Sequence, residues 1–534
     1  MKRTLLLLIC VTGCIAAFAQ SDKEKAAYAQ KALELQKEIW GNPVPEFKET
    51  KVPPNFNKES AVVLARSFSL SRASGGRLKF VLAFSVTTRT SKFSIFHERV
   101  KINDKTALES FSTLEYQKKL DKTTSMLFTK FIDLNNTFVG AKVIKPNGKE
   151  IIVNTSEEVL TKNETKDQKG KLAISELQVG DILDYYVSRE YLADKVQGNS
   201  YKENDDLFFL VDEYPVLYYS IDFQFNKKIN VKTIYANGAS HFVESKNEEG
   251  DQLYSLKLHN IPKYQSQLWT SSFRQYPYIE IGSSFDEGID KIIKVKHYEG
   301  KTAMLQAQKY IFESAFIESE YNYPELENKL KDYFKDKKSL KNAPLDSSVK
   351  ILYAKWKFYI FCTYFEKDLE DFSSLRYRRA LSQFNTVNMS MILNDLKIDF
   401  DVLLVASRNT NDLDGVFNND DFDALIRVNY GAKPMYICFD DVVNHFDEIP
   451  ERFQGEKVIV LHPKKESTHQ YSFTEREGVL PVTASAENNI DEHLEVSMAD
   501  NGMQKLKIDR LVKQKGSMRH DDQKTLLSME DIDG

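Results

Sequence analysis

Between Ser60 and Phe285 apolar and polar residues alternate in short runs that turn residues interrupt, a period-two pattern that strands satisfy and helices do not. Val62–Leu70, Leu78–Thr88, Phe138–Ile144, Glu150–Val153 and Ile182–Val187 are β-branched or aromatic runs of this kind. Lys145-Pro-Asn-Gly-Lys149 reads as a hairpin turn, because Asn and Gly tolerate the positive φ of tight turns. Roughly 225 residues with this pattern predict an antiparallel sandwich or a pair of packed sheets.

The signals around this block differ. Ser21–Trp40 places Ala32, Leu35 and Ile39 near helical spacing, and four prolines make Gly41–Phe56 an extended connector. Ala303–Glu320, Pro324–Lys338, Ser347–Phe365 (with Asp346 as N-cap) and Val387–Leu396 read as helices. A strand follows at Asp399–Ala406, and Phe422–Asp441 reads as strand, Gly431 turn and strand. Helices followed by an antiparallel sheet predict an α+β domain. After His462 strand signals return, with a hairpin over Glu492–Met498 and Gln504–Leu511, too small to stand alone. The expected organisation is a leader over 1–19, a helix and linker over 20–58, a β domain over 59–286, an α+β domain over 287–463, and the start of a C-terminal β domain over 464–534. The expected fold class is thus α+β multidomain, opening on an antiparallel β-sandwich-like domain.

Met1–Gln20 carries Lys2 and Arg3, an apolar run, and Ala17-Phe18-Ala19 before the cut, the order of a secretory signal peptide. Export to the periplasm, the outer membrane or beyond follows as an expectation. Val11-Thr12-Gly13-Cys14 also fits lipid attachment at Cys14, but the apolar run before it is short and continues after it. No other stretch has the length and apolarity of a membrane span. Leader removal leaves Cys362 and Cys438, too few for a disulfide framework. With 73 basic against 78 acidic residues the formal net charge is −5, which recommends no nucleic-acid partner. The nine histidines make no zinc motif, and the acidic loop around Asp412–Asp421 fits no EF-hand spacing, so no metal or cofactor is implied.

Residues 347–441 resemble a bacterial transglutaminase-like domain of the papain-related fold. Arg99-Val-Lys-Ile102, Ala141-Lys-Val-Ile-Lys-Pro-Asn-Gly148 and Gln178-Val-Gly-Asp-Ile182 resemble the β domain of unknown function that precedes it in Bacteroidota envelope proteins, and Asn489–Arg519 is similar to the start of the β domain that usually follows. The resemblance implies a cysteine at a helix start, a histidine on a strand, and an aspartate on the next strand. Counting back from Lys397-Ile398 puts Ser382 at the nucleophile position. Phe422-Asp423-Ala424 matches Phe-Asn-His, and Tyr436-Ile437-Cys438 matches the strand that ends in the acid. The three positions therefore hold Ser382, Ala424 and Cys438. An offset of two would put Asp440 in the acid position, but no modest shift restores a Cys–His pair.

Three functions compete. The first is a non-catalytic envelope protein that binds a protein, peptide or cell-wall partner. The second is a hydrolase or acyl transferase with rearranged residues. The third is a glycan-binding accessory using the aromatic loop Tyr264–Phe285, with Trp269 and Tyr276, although rings in a domain-junction loop more simply pack on each other.

Overall fold

The computed structural model describes residues 26–80, 84–126, 129–196, 201–202, 206–265, 271–285, 300–317, 337–358, 375–416, 421–431, 433–467, 470–498 and 505–526. The leader, Cys14, Trp269, Cys362 and the helix expected at Pro324 lie outside these residues. The chain forms two compact units, Met1–Gln267 with Tyr276–Gly288, and Leu268–Gln275 with Ile289–Gly534.

The first unit is organised by an eleven-stranded sheet. Its centre is a long antiparallel pair, β1 (Ala61–Phe80) and β2 (Phe84–Ile102), joined on one side by β3 (Asp133–Ile144) through β4 (Ile182–Val196). On the other side β5 (Val216–Phe225) runs parallel to β1, with Val63 opposite Val216 and Arg72 opposite Phe225, and β6 (Gln252–Ile261) pairs antiparallel to β5. That parallel junction makes the sheet mixed, so the expected antiparallel sandwich is corrected. Alternation within a strand reports its two faces; it carries no information on which strand will lie beside it. A second, four-stranded sheet is built around β7 (Tyr278–Phe285), and Ile279 and Ile281 share one apolar core with Ile221, Phe223 and Phe225 of the large sheet.

The helix over residues 26–41, α1, lays Leu35 against Phe138 and Tyr186, with Ala32 and Ile39 beside them. Trp40 Nε1 donates to Asp184 Oδ1 over 2.8 Å, and His97 Nε2 lies 2.8 Å from the same oxygen. The Lys145–Lys149 turn closes as read, with Gly148 at φ 85° and the Lys145 amide donating to Lys149 O.

In the second unit a five-stranded antiparallel sheet runs in the order β10 (Met435–Ile437), β9 (Asp423–Val428), β8 (Phe400–Val405), β11 (Lys457–Ser467), β12 (Gln470–Val479). One face carries the main core with α2 (Gly300–Ile317), α3 (Leu345–Phe358) and α4 (Leu375–Asp395). The opposite face has its own small core of Leu403, Val405, Leu425, Cys438, Phe453 and Val460.

Strand prevails over helix in the molecule, and the helix-rich transglutaminase-like α+β class expected from sequence is corrected accordingly. Residue 463 falls inside β11, which pairs with both β8 and β12, and a separate two-stranded sheet follows over Ile490–Gln514. Asp346 lies in the first turn of α3 and accepts from the Ser347 amide, where a carboxylate suits the helix dipole.

Candidate functional site

The site begins with the unusual inner face of α4. At the spacing of one helix face stand Ser382, Asn385, Thr386, Met389, Leu393 and Leu396, all buried. Half of that face is polar, and each polar group needs a partner because water is excluded. Ser382 Oγ donates to Ala424 O at 3.2 Å, and Thr386 Oγ1 donates to the same carbonyl at 2.8 Å. Gln383 Nε2 donates to Phe422 O at 3.2 Å, and Asn385 Oδ1 accepts from Trp356 Nε1 at 3.1 Å. Side-chain hydroxyls and amides thus fasten α4 to the one strand whose residues would carry a base.

This geometry determines what the three predicted positions do chemically. Ser382 lies in the interior of α4, away from the N-terminal turn, so it gains little from the helix dipole. Its hydroxyl points its proton at a main-chain carbonyl. A carbonyl holds that proton but does not remove it, and Ala424, 1% exposed, brings a methyl where an imidazole would be required. Ser382 and Ala424 are therefore brought together.

Cys438 is not brought to them. It belongs to the small core on the face opposite α4. Burial, first, and the nearby Asp440 carboxylate push its thiol well up, so the nucleophilic thiolate is disfavoured. Asp440, the alternative acid position, is two residues along the chain and shares Arg452 with Asp423. Arg452 Nε donates to Asp440 Oδ2 at 3.2 Å, and its Nη2 lies 3.4 Å from Asp423 Oδ2. Burial works against the charge of that guanidinium, but the two carboxylates outweigh it and hold its pKa up. An acid engaged with a buried arginine is not orienting a histidine.

Two features went unmarked in the sequence. The first is a histidine–carboxylate contact on β11 and β8. His462 Nδ1 lies 3.0 Å from Asp401 Oδ1, while Arg427 Nε donates to Asp401 Oδ2 at 3.0 Å. Asp401 is buried and Arg476 approaches it too, so the group works as a charge cluster on the sheet. Alternation of Asp399, Asp401 and His462 on strands was the available signal, but their register was not legible.

The second feature is a pair of clefts that share His445. One, of about 670 Å³, is lined by Lys433, Tyr436, Glu448, Thr483 and Arg519; the other, of about 360 Å³, by Lys350, Tyr353, Lys357 and Phe446. Glu448 accepts from the His445 amide at 2.7 Å, from Arg519 Nη1 and Nη2 at 2.7 and 2.9 Å, and lies 3.3 Å from His520 Nε2. Burial would raise that carboxyl, yet the hydrogen bonds from His520, Arg519 and His445 outweigh it and hold it well below the usual range. Burial and the Arg519 charge push the His445 imidazole down, which keeps it neutral at neutral pH. The arrangement offers cations, rings and a neutral imidazole around open space. Among the described residues no group of three or more His, Cys, Asp and Glu side chains is placed to hold a metal ion.

Of the aromatic loop, Tyr264 and Tyr276 pack ring on ring, with centroids 5.0 Å apart, and the Tyr276 hydroxyl donates to Gln265 O. No helix among the described residues is long and apolar enough to cross a membrane.

No family model and no curated protein matches this chain. Among solved structures, a protein of Parabacteroides distasonis provisionally named a protease aligns with 75% of this chain and 70% of its own, at 11% identity and a TM-score of 0.37. A likeness that distant carries no argument about fold or activity.

Proposed function

We propose that this is an exported binding protein that performs no acyl-transfer or peptidase chemistry, and that its partner is a protein, a peptide or a cell-wall component. One observation carries the reading: the Ser382 hydroxyl donates to the Ala424 carbonyl inside a closed core, and among the described residues no side-chain base is hydrogen-bonded to it. Nucleophilic attack on a carbonyl needs a group within about 3 Å to take the proton. Fold likeness cannot supply that group.

The clefts around His445 are where a partner would bind. A space of about 670 Å³ is of ligand-pocket size. Its lining of Lys433, Arg519, Tyr436 and Thr483 suits an extended polar chain with carboxylates and rings, such as a peptide.

The test is an assay of the purified chain for amine incorporation into glutamine peptides and for peptide cleavage. The expected rate equals the buffer blank for wild type, Ser382→Ala and Cys438→Ala alike. Turnover in the wild type that either substitution abolishes would replace this reading with that of a hydrolase or acyl transferase with rearranged residues.

A further inference from the structure

Near its C-terminus the second unit carries a two-stranded ribbon, β13 (Ile490–Met498) and β14 (Leu506–Gln514), whose two faces differ sharply. The register sets Ile490 opposite Gln514, Leu494 opposite Arg510, Val496 opposite Ile508 and Met498 opposite Leu506. Residues opposite each other share a face, so Ile490, Leu494, Val496, Met498, Leu506, Ile508 and Val512 all stand on one side, with Glu492, Arg510 and Gln514 toward one end of it. The other side carries Asp491, His493, Glu495, Ser497, Lys507, Asp509 and Lys513, with Leu511 the one large apolar residue among them.

An alternation of this kind is what a strand pair has when one face is buried. Here the apolar face lies open: Ile490, Leu494, Val496, Met498, Leu506 and Ile508 are between 48% and 62% exposed. They display on the order of 600 Å² of contiguous apolar surface, at the upper limit of what a monomer leaves in water. A lone two-stranded ribbon is also at best marginally stable.

We infer that this face is covered by the same face of a second copy of the chain, ribbon on ribbon, as a two-layer sandwich of four strands. Two observations select this occupant. The first is area: on the order of 600 Å² from each copy gives about 1,200 Å² in all, the lower bound of a specific interface. The second is charge on the apolar face itself, where Arg510 Nε pairs with Glu492 Oε1 at 2.6 Å. A two-fold axis parallel to the strands lays β13 of each copy over β14 of the other, so each Glu492 meets its partner's arginine at one end of the sandwich and the other end is wholly apolar. A lipid surface is a poorer match, because the Glu492 carboxylate stands on the apolar face itself.

Sedimentation velocity of the full chain across micromolar concentrations is the test. Wild type should sediment as a dimer that dissociates on dilution. Ile508→Asp on the apolar face should weaken association at least a hundredfold, while Leu511→Asp on the polar face should change it less than threefold. Charge reversal gives a second arm that does not depend on the stability of Ile508→Asp. Glu492→Arg should yield monomer, and the double variant Glu492→Arg/Arg510→Glu should restore the dimer. Circular dichroism identical to wild type checks that each variant is folded. A wild-type monomer at every concentration would overturn the inference, as would a dimer that Ile508→Asp leaves intact. Association appearing only with added phosphatidylglycerol vesicles would overturn it too, and would assign the face to lipid.

Discussion

At Ala424 the missing atoms matter as much as those present. Its methyl sits in the main core under α4, and its carbonyl takes hydrogen bonds from both Ser382 and Thr386. Two donors on one acceptor make each partly redundant. Ser382→Ala should therefore cost less than about 1 kcal/mol in urea unfolding, because Thr386 still satisfies the carbonyl. Ala424→His, which replaces the methyl with an imidazole, should destabilise by about 3 kcal/mol, since the methyl is buried in the main core and a ring there overpacks it. Ala424→His as stable as wild type would mean that the space for a base still exists. Glu448 makes a second residue-scale prediction. Its folded pKa lies below its unfolded one, so its contribution is fully present above the unfolded value near 4.5 and is lost as pH falls further. The His445 imidazole, held down by burial and Arg519, acts with the same sign from its ordinary value of 6.5 downward. Thermal midpoints should thus fall from pH 7 toward pH 3. Glu448→Gln should cost about 2 kcal/mol at pH 7 and flatten the part of that fall below pH 5. An unchanged profile in this variant would show that Glu448 is not the group responsible.

Individual elements differ in how much of them the sequence discloses. The N-terminal helix was legible because Ala32, Leu35 and Ile39 are apolar and face one way. The Lys145–Lys149 turn was legible because Gly148 takes a φ that side chains disfavour. α4 was legible only in its second half. The face it buries from Ser382 to Thr386 is polar, so a search for apolar periodicity starts it near Val387, although the helix begins at Leu375. The candidate site suffered from the same concealment: strand identity was readable around Ala424 and Cys438, but the sheet face of each depends on register, which a shift of one residue inverts. A strand-level prediction follows from Gly140 on β3, which lies opposite Tyr186 on β4. A Cβ there would run into the Tyr186 ring, which also packs against Trp40. Gly140→Ala should lower stability by about 2 kcal/mol and loosen α1, seen as faster amide exchange over residues 26–41. Unchanged exchange there would disconnect the glycine from the helix.

Across the whole molecule, the strand-rich N-terminal block and the hairpin near the C-terminus were visible from alternation, while sheet order was not. The parallel pairing of β1 with β5 depends on a crossover that local sequence does not encode. The pairing of β11 with β8 across the expected boundary is equally non-local. Likeness to a catalytic family suggested an α+β class, and the strand-dominated architecture corrects it. The chemical reading depends less on fold class than on whether any nucleophile in the second unit is served by a base. The most direct measurement is intact-mass analysis of the folded Cys362→Ser chain treated with iodoacetamide, and separately with a fluorophosphonate, at pH 7.5. The account predicts no adduct over an hour on Cys438 or on Ser382, and rapid alkylation of Cys438 once urea opens the core. A stoichiometric adduct on either residue within minutes in the folded protein would contradict it.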